Sequence, residues 1–437
     1  MVDFGNLGSD LILALSAVLN LLVLAYRWPR LPSVRGFFDR LQQRLTGRPD
    51  WSWVRLWHVM VPLLVVSAVN LAWQISTVHC ADDSLAIFAS GRAVLTGHDP
   101  FQVTYCSGSS IDYIPYGLSQ VALDGLAALS GTFAGVWVVW ELVALLVVPL
   151  VWVVAGDDRR YVAVLAATSV LYLPNIATNI GVDNAIVPVA VLLMLYALAS
   201  RGGRGFWFQG LAAFLSTARF PALFPLLGAS ASLGRHRWKS LVLVAGVFAG
   251  SVLLSYALWG WGAIGVVYLD QFSRLSGGTL NLFAVLLQQG WFLPSLVSAA
   301  IQGGLLLLLV LFVHARGYSP RAASVLPLLG VMSLSQYLNF HFVVWIVPAV
   351  LLGASVNRWL FIYGVTAALD ESVAEWYLGR GLGIWWPYEL LGVVLSVLLV
   401  YLLILIVRSE EVRLRTARRA AKGPSEAGEE VARRGQS

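Results

Sequence analysis

The chain has 437 residues, 58% of them hydrophobic and only 12% charged, whereas soluble domains carry roughly a quarter charged residues. That composition excludes an ordinary soluble protein, and the net charge of +6 sits in a few loops and the C-terminal tail, where it marks membrane sidedness rather than nucleic-acid binding. Apolar runs of about seventeen to twenty-three residues, each long enough for ~30 Å of hydrocarbon, recur from end to end and predict an all-α, polytopic transmembrane bundle of about 11–13 spans.

In chain order, residues 1–56 predict an extra N-terminal span and a basic cytoplasmic loop. The opening MVDFGNLGSD lacks the basic n-region and small-residue cleavage site of a signal peptide, so the run from Leu11 to Tyr26 is expected to stay as a helix. Seven arginines crowd the following loop (Arg27, Arg30, Arg35, Arg40, Arg44, Arg48 and Arg55) and eight basic residues follow Val407. The positive-inside rule places both in the cytoplasm. Alternation then predicts spans at 9–26, 57–76, 134–156, 160–176, 183–200, 208–220, 221–234, 239–259, 291–313, 320–337, 341–356, 358–370 and 386–407, with the N-terminus outside. Residues 57–407 form the transmembrane body, and 408–437 are read as a cytoplasmic helix end followed by a disordered, headgroup-contacting tail.

The first outer loop holds the most unusual stretch, ADDSLAIFASGRAVLTGHDPF from Ala81 to Phe101. Two short helices, 84–96 and 116–130, are expected to lie in the outer interface. The second contains Gln120 and Asp124 and breaks the topology if counted as a span. Cys80 and Cys106 share this loop; they are either a disulfide closing it or two unrelated thiols. Asp82 and Asp83 alone fit a helix N-terminus, where carboxylates cap free N–H groups and complement the dipole.

Their company points further. Asp83, Phe88, Gly91-Arg92-Ala93-Val94-Leu95, Gly97-His98-Asp99-Pro100-Phe101 and Tyr113-Ile114-Pro115-Tyr116 together resemble the first outer loop of the polyprenyl-phosphate-mannose-dependent α-mannosyltransferases of GT-C type, which build bacterial lipoglycans. NIATNIGVDN (Asn175 to Asn184) is similar to the family's N-x-x-x-G-Q-x-N turn, ARFP (Ala218 to Pro221) to its A-x-K-x-x-P, and LNFHFVVW (Leu338 to Trp345) to its histidine-bearing outer turn. The similarity covers residues 57 to 350. It departs at Val182, at Tyr116, at Arg219 in place of another basic residue, and in the extra N-terminal span.

The resemblance implies a GT-C-type fold and transfer of a sugar, mannose by analogy, from a polyprenyl phosphate to a glycolipid or glycan on the outer face of the cytoplasmic membrane. A sugar on a lipid phosphate already carries a good leaving group, so an inverting transfer needs one base for the acceptor hydroxyl and donors for the departing phosphate. Asp83 takes the base role and Asp82 is auxiliary. Arg219, at the junction of two short spans, is the first choice for the donor phosphate, because guanidinium grips phosphate oxygens through paired N–H groups; as structural glue it would instead pair with Asp183 or Asp270. His341, Asn339, Arg92 and Asn184 are further substrate-binding candidates. Against these stand packing for the histidine and headgroup snorkelling for Arg92.

The spacings C-x-x-C and H-E-x-x-H are absent, as are a P-loop and a Rossmann glycine pattern. No cofactor and no metal site are therefore expected, and the partners are the lipid-linked donor, the acceptor and membrane lipids, without nucleic acid. A transporter or flippase of lipid-linked sugars is the alternative, since broken helices and intramembrane polar groups (Glu141, Asn179, Asp183 and Asn184) also suit a carrier. A non-catalytic scaffold would reduce Asp82 and Asp83 to capping residues.

Overall fold

A computed structural model describes residues 36, 40, 55–76, 83–101, 116–155, 182–200, 204–269, 295–334, 340–353, 356, 359–360, 362–367, 369 and 386–421. These are mostly helical, with no strand among the described residues. The helices are α1 (Leu56–Ser76), α2 (Asp83–Leu95), α3 (Leu118–Ala128), α4 (Ala134–Leu145), α5 (Val147–Ala155), α6 (Ile186–Ala199), α7 (Arg204–Leu215), α8 (Leu223–Ala231), α9 (Arg237–Trp259), α10 (Ser295–Arg316), α11 (Pro320–Leu334) and α12 (Trp386–Ala421). Among the described residues, three helical stretches are long and apolar enough to cross a membrane: Ala134–Ala155, Arg237–Trp259 and Leu390–Ala420. The expected spans at 9–26 and 160–176 lie outside the described residues, whereas most of 358–370 is described and helical.

The core is built on α6, α8 and α11. Almost every side chain of α6 is buried, from Ile186 to Leu195, and so is the run from Ala322 to Met332 on α11. Both helices are apolar all round, as a helix enclosed by other helices must be. Small residues let their backbones approach: a Cβ on Gly228 of α8 would lie 2.1 Å from the Ala323 carbonyl oxygen of α11. The outer ring shows the reverse pattern. Val242 and Leu253 on α9, Leu308 on α10, and Val397 and Val400 on α12 are all at least half exposed, the arrangement for side chains facing hydrocarbon.

Two segments differ from the expected spans. Residues 340–352 form one 3-10 helix, Phe340–Leu352, which at ~2.0 Å per residue reaches ~26 Å, further than the same residues would as an α-helix. The last helix continues past 407 to Ala421. Its extension is held to the turn between α10 and α11. There the Glu410 carboxylate accepts the Ser319 N–H (2.9 Å) and hydroxyl (2.8 Å), and Arg413 binds Glu410 at 2.8 Å. Ser319 is in turn the N-cap of α11, its Oγ accepting the Ala322 N–H, with Pro320 in the first helical position, where it loses no bond.

The two short helices expected at 84–96 and 116–130 form, as α2 and α3. They cross at Gly91, where a Cβ would fall 2.1 Å from the Asp124 carbonyl oxygen and 2.9 Å from Ala128 Cβ. Val94 lies against Gly125, Phe88 against Phe133, and Phe101 clusters with Val121. Rising residue numbers on α2 thus meet falling numbers on α3, and the pair is antiparallel. Gln120 and Asp124 are fully buried while Leu126 and Leu129 are exposed, so α3 turns its polar face inward; Trp140 Nε1 of α4 donates to Asp124 Oδ1 at 3.3 Å.

Candidate functional site

The most distinctive polar feature lies where α3 begins and the chain breaks between α7 and α8. After Leu215 the helix ends in a turn at 216–218, and Arg219 is extended (φ −134°, ψ 101°) before a short 3-10 helix, Phe220–Ala222. Pro221 explains the break, since a continuous helix would need its missing N–H and would drive its ring against the carbonyl four residues back, that of Thr217. The two helix ends satisfy one another. Ser119 N–H donates to Thr217 Oγ1 (3.1 Å), the Ser119 hydroxyl donates to the Leu215 carbonyl (3.2 Å), and Gly117 N–H reaches the Ala218 carbonyl at 3.4 Å. A Cβ on Gly117 would stand 1.7 Å from the Thr217 oxygen, so only glycine fits.

This docking fixes Tyr116 beside Arg219, whose guanidinium carbon sits 3.7 Å above the tyrosine ring centroid, a cation–π contact. Arg219 is 5% exposed. Around it, the rings of Phe220 and Tyr268 meet edge to face at 5.9 Å, and Phe248 lies 5.9 Å from Tyr268. Tyr268 comes from the π-helical turn Gly265–Leu269 that follows α9, and nothing in the sequence singled it out. Burial pushes its phenol well above the ordinary range.

The sequence candidates divide by place. Arg219 and Tyr116, from motif stretches about a hundred residues apart, meet. Asn184 is fully buried in the 3-10 turn Val182–Ala185, which packs against α4 and against Phe340–Leu352, the element that carries His341 near its start. The side chain of His341 lies outside the described residues, as do Asn339, Asp82, Cys80 and Cys106. Arg92 is exposed on α2.

Asp83 is the first residue of α2; its side chain lies outside the described residues. Because α2 and α3 are antiparallel, it stands at the end of the pair opposite Tyr116. From the Gly91 crossing, helix rise puts roughly 12 Å to Asp83 one way and roughly 15 Å to Tyr116 the other, about 27 Å in all along the pair.

Part of the motif is structural. Gly97 (φ 75°) ends α2, with Gly97 N–H bonded to the Val94 carbonyl and His98 N–H to Ala93 at 2.8 Å, the double bond of a Schellman cap. Asp99 Oδ1 then accepts the Phe101 N–H at 2.9 Å, turning the chain so that Phe101 is buried 5.7 Å from Trp259. Gly-His-Asp-Pro-Phe thus shapes a turn.

No protein-family model matches the chain and no curated protein matches it.

Proposed function

We propose that this protein is a membrane glycosyltransferase that moves a sugar, mannose by resemblance, from a polyprenyl phosphate to a glycolipid or glycan acceptor at the outer face of the cytoplasmic membrane, with inversion. One observation carries the reading: the buried Arg219 guanidinium stacked on Tyr116, which joins two of the motif stretches that resemble a GT-C mannosyltransferase. Buried cations in apolar protein are costly and mark substrate sites. The long apolar helices suit a polytopic bundle that meets substrates anchored by isoprenoid and acyl chains.

In the proposed reaction the acceptor oxygen attacks C1 of the donor sugar from the face opposite the phosphate. The acceptor O–C1 bond forms, the C1–O bond to phosphate breaks, the electron pair leaves with the polyprenyl phosphate, and the hydroxyl proton passes to the Asp83 carboxylate. No glycosyl-enzyme intermediate is needed, which separates this chemistry from retaining hydrolases. His341 and Asn339 are the proposed donors to the departing phosphate or sugar hydroxyls. Arg219 binds a substrate at the other end of the α2–α3 pair.

The flippase reading draws on Glu141, buried within the span Ala134–Ala155, and on the break at Arg219. Incubating purified protein in proteoliposomes with radiolabelled polyprenyl-phosphate mannose and a glycolipid acceptor separates the two. The transferase yields a larger labelled glycolipid and free polyprenyl phosphate, and Asp83→Asn lowers turnover at least a hundredfold, the usual scale for a general base. Intact donor moved between leaflets, with no new glycosidic bond, supports the carrier.

A further inference from the structure

Tyr268 brings a hydroxyl into the Arg219 corner that the proposed reaction does not use. Its Oη is shielded from solvent and has no hydrogen-bond partner among the described residues. It is also close to the Arg219 stack: a methyl group placed on Gly117, next to Tyr116, would lie 3.2 Å from Tyr268 Oη. The Tyr268 ring is held edge-on by Phe220, the residue after Arg219. Folded proteins rarely leave a buried hydroxyl without a partner, and a missing ligand group is one ordinary reason.

We propose that Tyr268 and Arg219 together form a phosphate-binding subsite for the acceptor lipid, with the phenol donating to one phosphate oxygen while the guanidinium supplies the charge. The chemistry matches on three counts. A protonated phenol, favoured by its burial, is a donor that does not repel an anion. The cation rests on the face of Tyr116, which fixes its position in a walled, apolar corner. Third, Asp83 is about 27 Å away along the pair by helix rise, too far for one donor molecule to place its phosphate here and its anomeric carbon at Asp83. A phosphate-anchored glycolipid can bridge that distance with its glycan, bringing the growing end to Asp83. The subsite thereby measures acceptor length.

This rests on the transferase reading, and its test keeps the two apart. Initial rates are measured with wild type and Tyr268→Phe against a phospholipid-anchored glycan and the same glycan on diacylglycerol. Phenylalanine preserves the ring packing on Phe220 and Phe248 and removes only the hydroxyl. The expected result is a KM for the phosphorylated acceptor raised roughly tenfold, the scale of one hydrogen bond to a charged group, with kcat, donor KM and the diacylglycerol acceptor unchanged. A shift in donor KM, or equal losses for both acceptors, overturns the subsite while leaving the transferase intact. Should wild type transfer no sugar to any acceptor, the transferase reading fails, and the subsite is then judged by binding: phosphatidate must be retained over diacylglycerol in native mass spectrometry by wild type and lost in Tyr268→Phe, and equal retention overturns it.

Discussion

Gly117 and Gly91 have no room for a side chain, and both positions face backbone rather than a movable group. A Cβ at Gly117 meets the Thr217 oxygen at 1.7 Å and one at Gly91 meets the Asp124 oxygen at 2.1 Å. Overpacking costs ~1–3 kcal/mol where neighbours can move, and a fixed carbonyl moves little. Gly117→Ala is therefore expected to lower stability by at least ~3 kcal/mol and to separate Tyr116 from Arg219, read as a lower denaturation midpoint in detergent. Gly246→Ala on the exposed face of α9, where a Cβ meets nothing within 4 Å, provides the contrast. It should be neutral or stabilising by up to ~1 kcal/mol, since alanine is the better helix former. Matching losses at the two sites would contradict the docking of α3 described above.

At the level of elements, much was legible and the reasons differ from case to case. Helices 84–96 and 116–130 emerge as Asp83–Leu95 and Leu118–Ala128 because glycine at 97 and 117 and apolar spacing punctuate them. The break near Arg219 was legible from its prolines. The partnership of Ser119 with Thr217 was not, since the residues are 98 apart in sequence and neither carries a local signal. Nor was Tyr268, whose importance arises only from its neighbours in space. The inward polar face of α3 was hidden for a related reason: Gln120 and Asp124 read as solvent-facing until a partner such as Trp140 is placed opposite.

The docked end of α12 carries its own prediction. Tyr318 is buried and donates to Glu411 at 3.1 Å. Burial first, then the bond to and charge of Glu411, push its phenol from 10.0 up to about 12. The folded state thus holds this proton more tightly than the unfolded chain. Its contribution is complete below about pH 10 and is lost as pH rises through about 12. Hydrogen exchange at the N-terminus of α11 should accelerate over that window in wild type, and Tyr318→Phe should remove the pH-dependent part. Glu410→Gln should weaken the same contact by ~1–3 kcal/mol at neutral pH, because Ser319 and Arg413 lose a charged acceptor. An unchanged exchange pattern in both variants would place the stability of this end elsewhere.

Among the described residues, the helices enclose an apolar core and turn leucine and valine outward, a pattern that suits a lipid surround. Within it, polar chemistry is concentrated at the α3 start and, on the proposed topology, opens to the outer face. Asp83 sits at one end of an antiparallel pair and the Arg219 corner at the other, so in the proposed function proton transfer and acceptor anchoring occupy separate places. The most direct measurement supplies polyprenyl-phosphate mannose and acceptor only to the outer face of sealed, oriented vesicles, and follows the mannosylated product by mass spectrometry for wild type and Asp83→Asn. Wild type should give product with the anomeric configuration inverted, and the variant nearly none. Product from the variant at the wild-type rate, or product only when substrates are supplied to the cytoplasmic face, would contradict the proposed function.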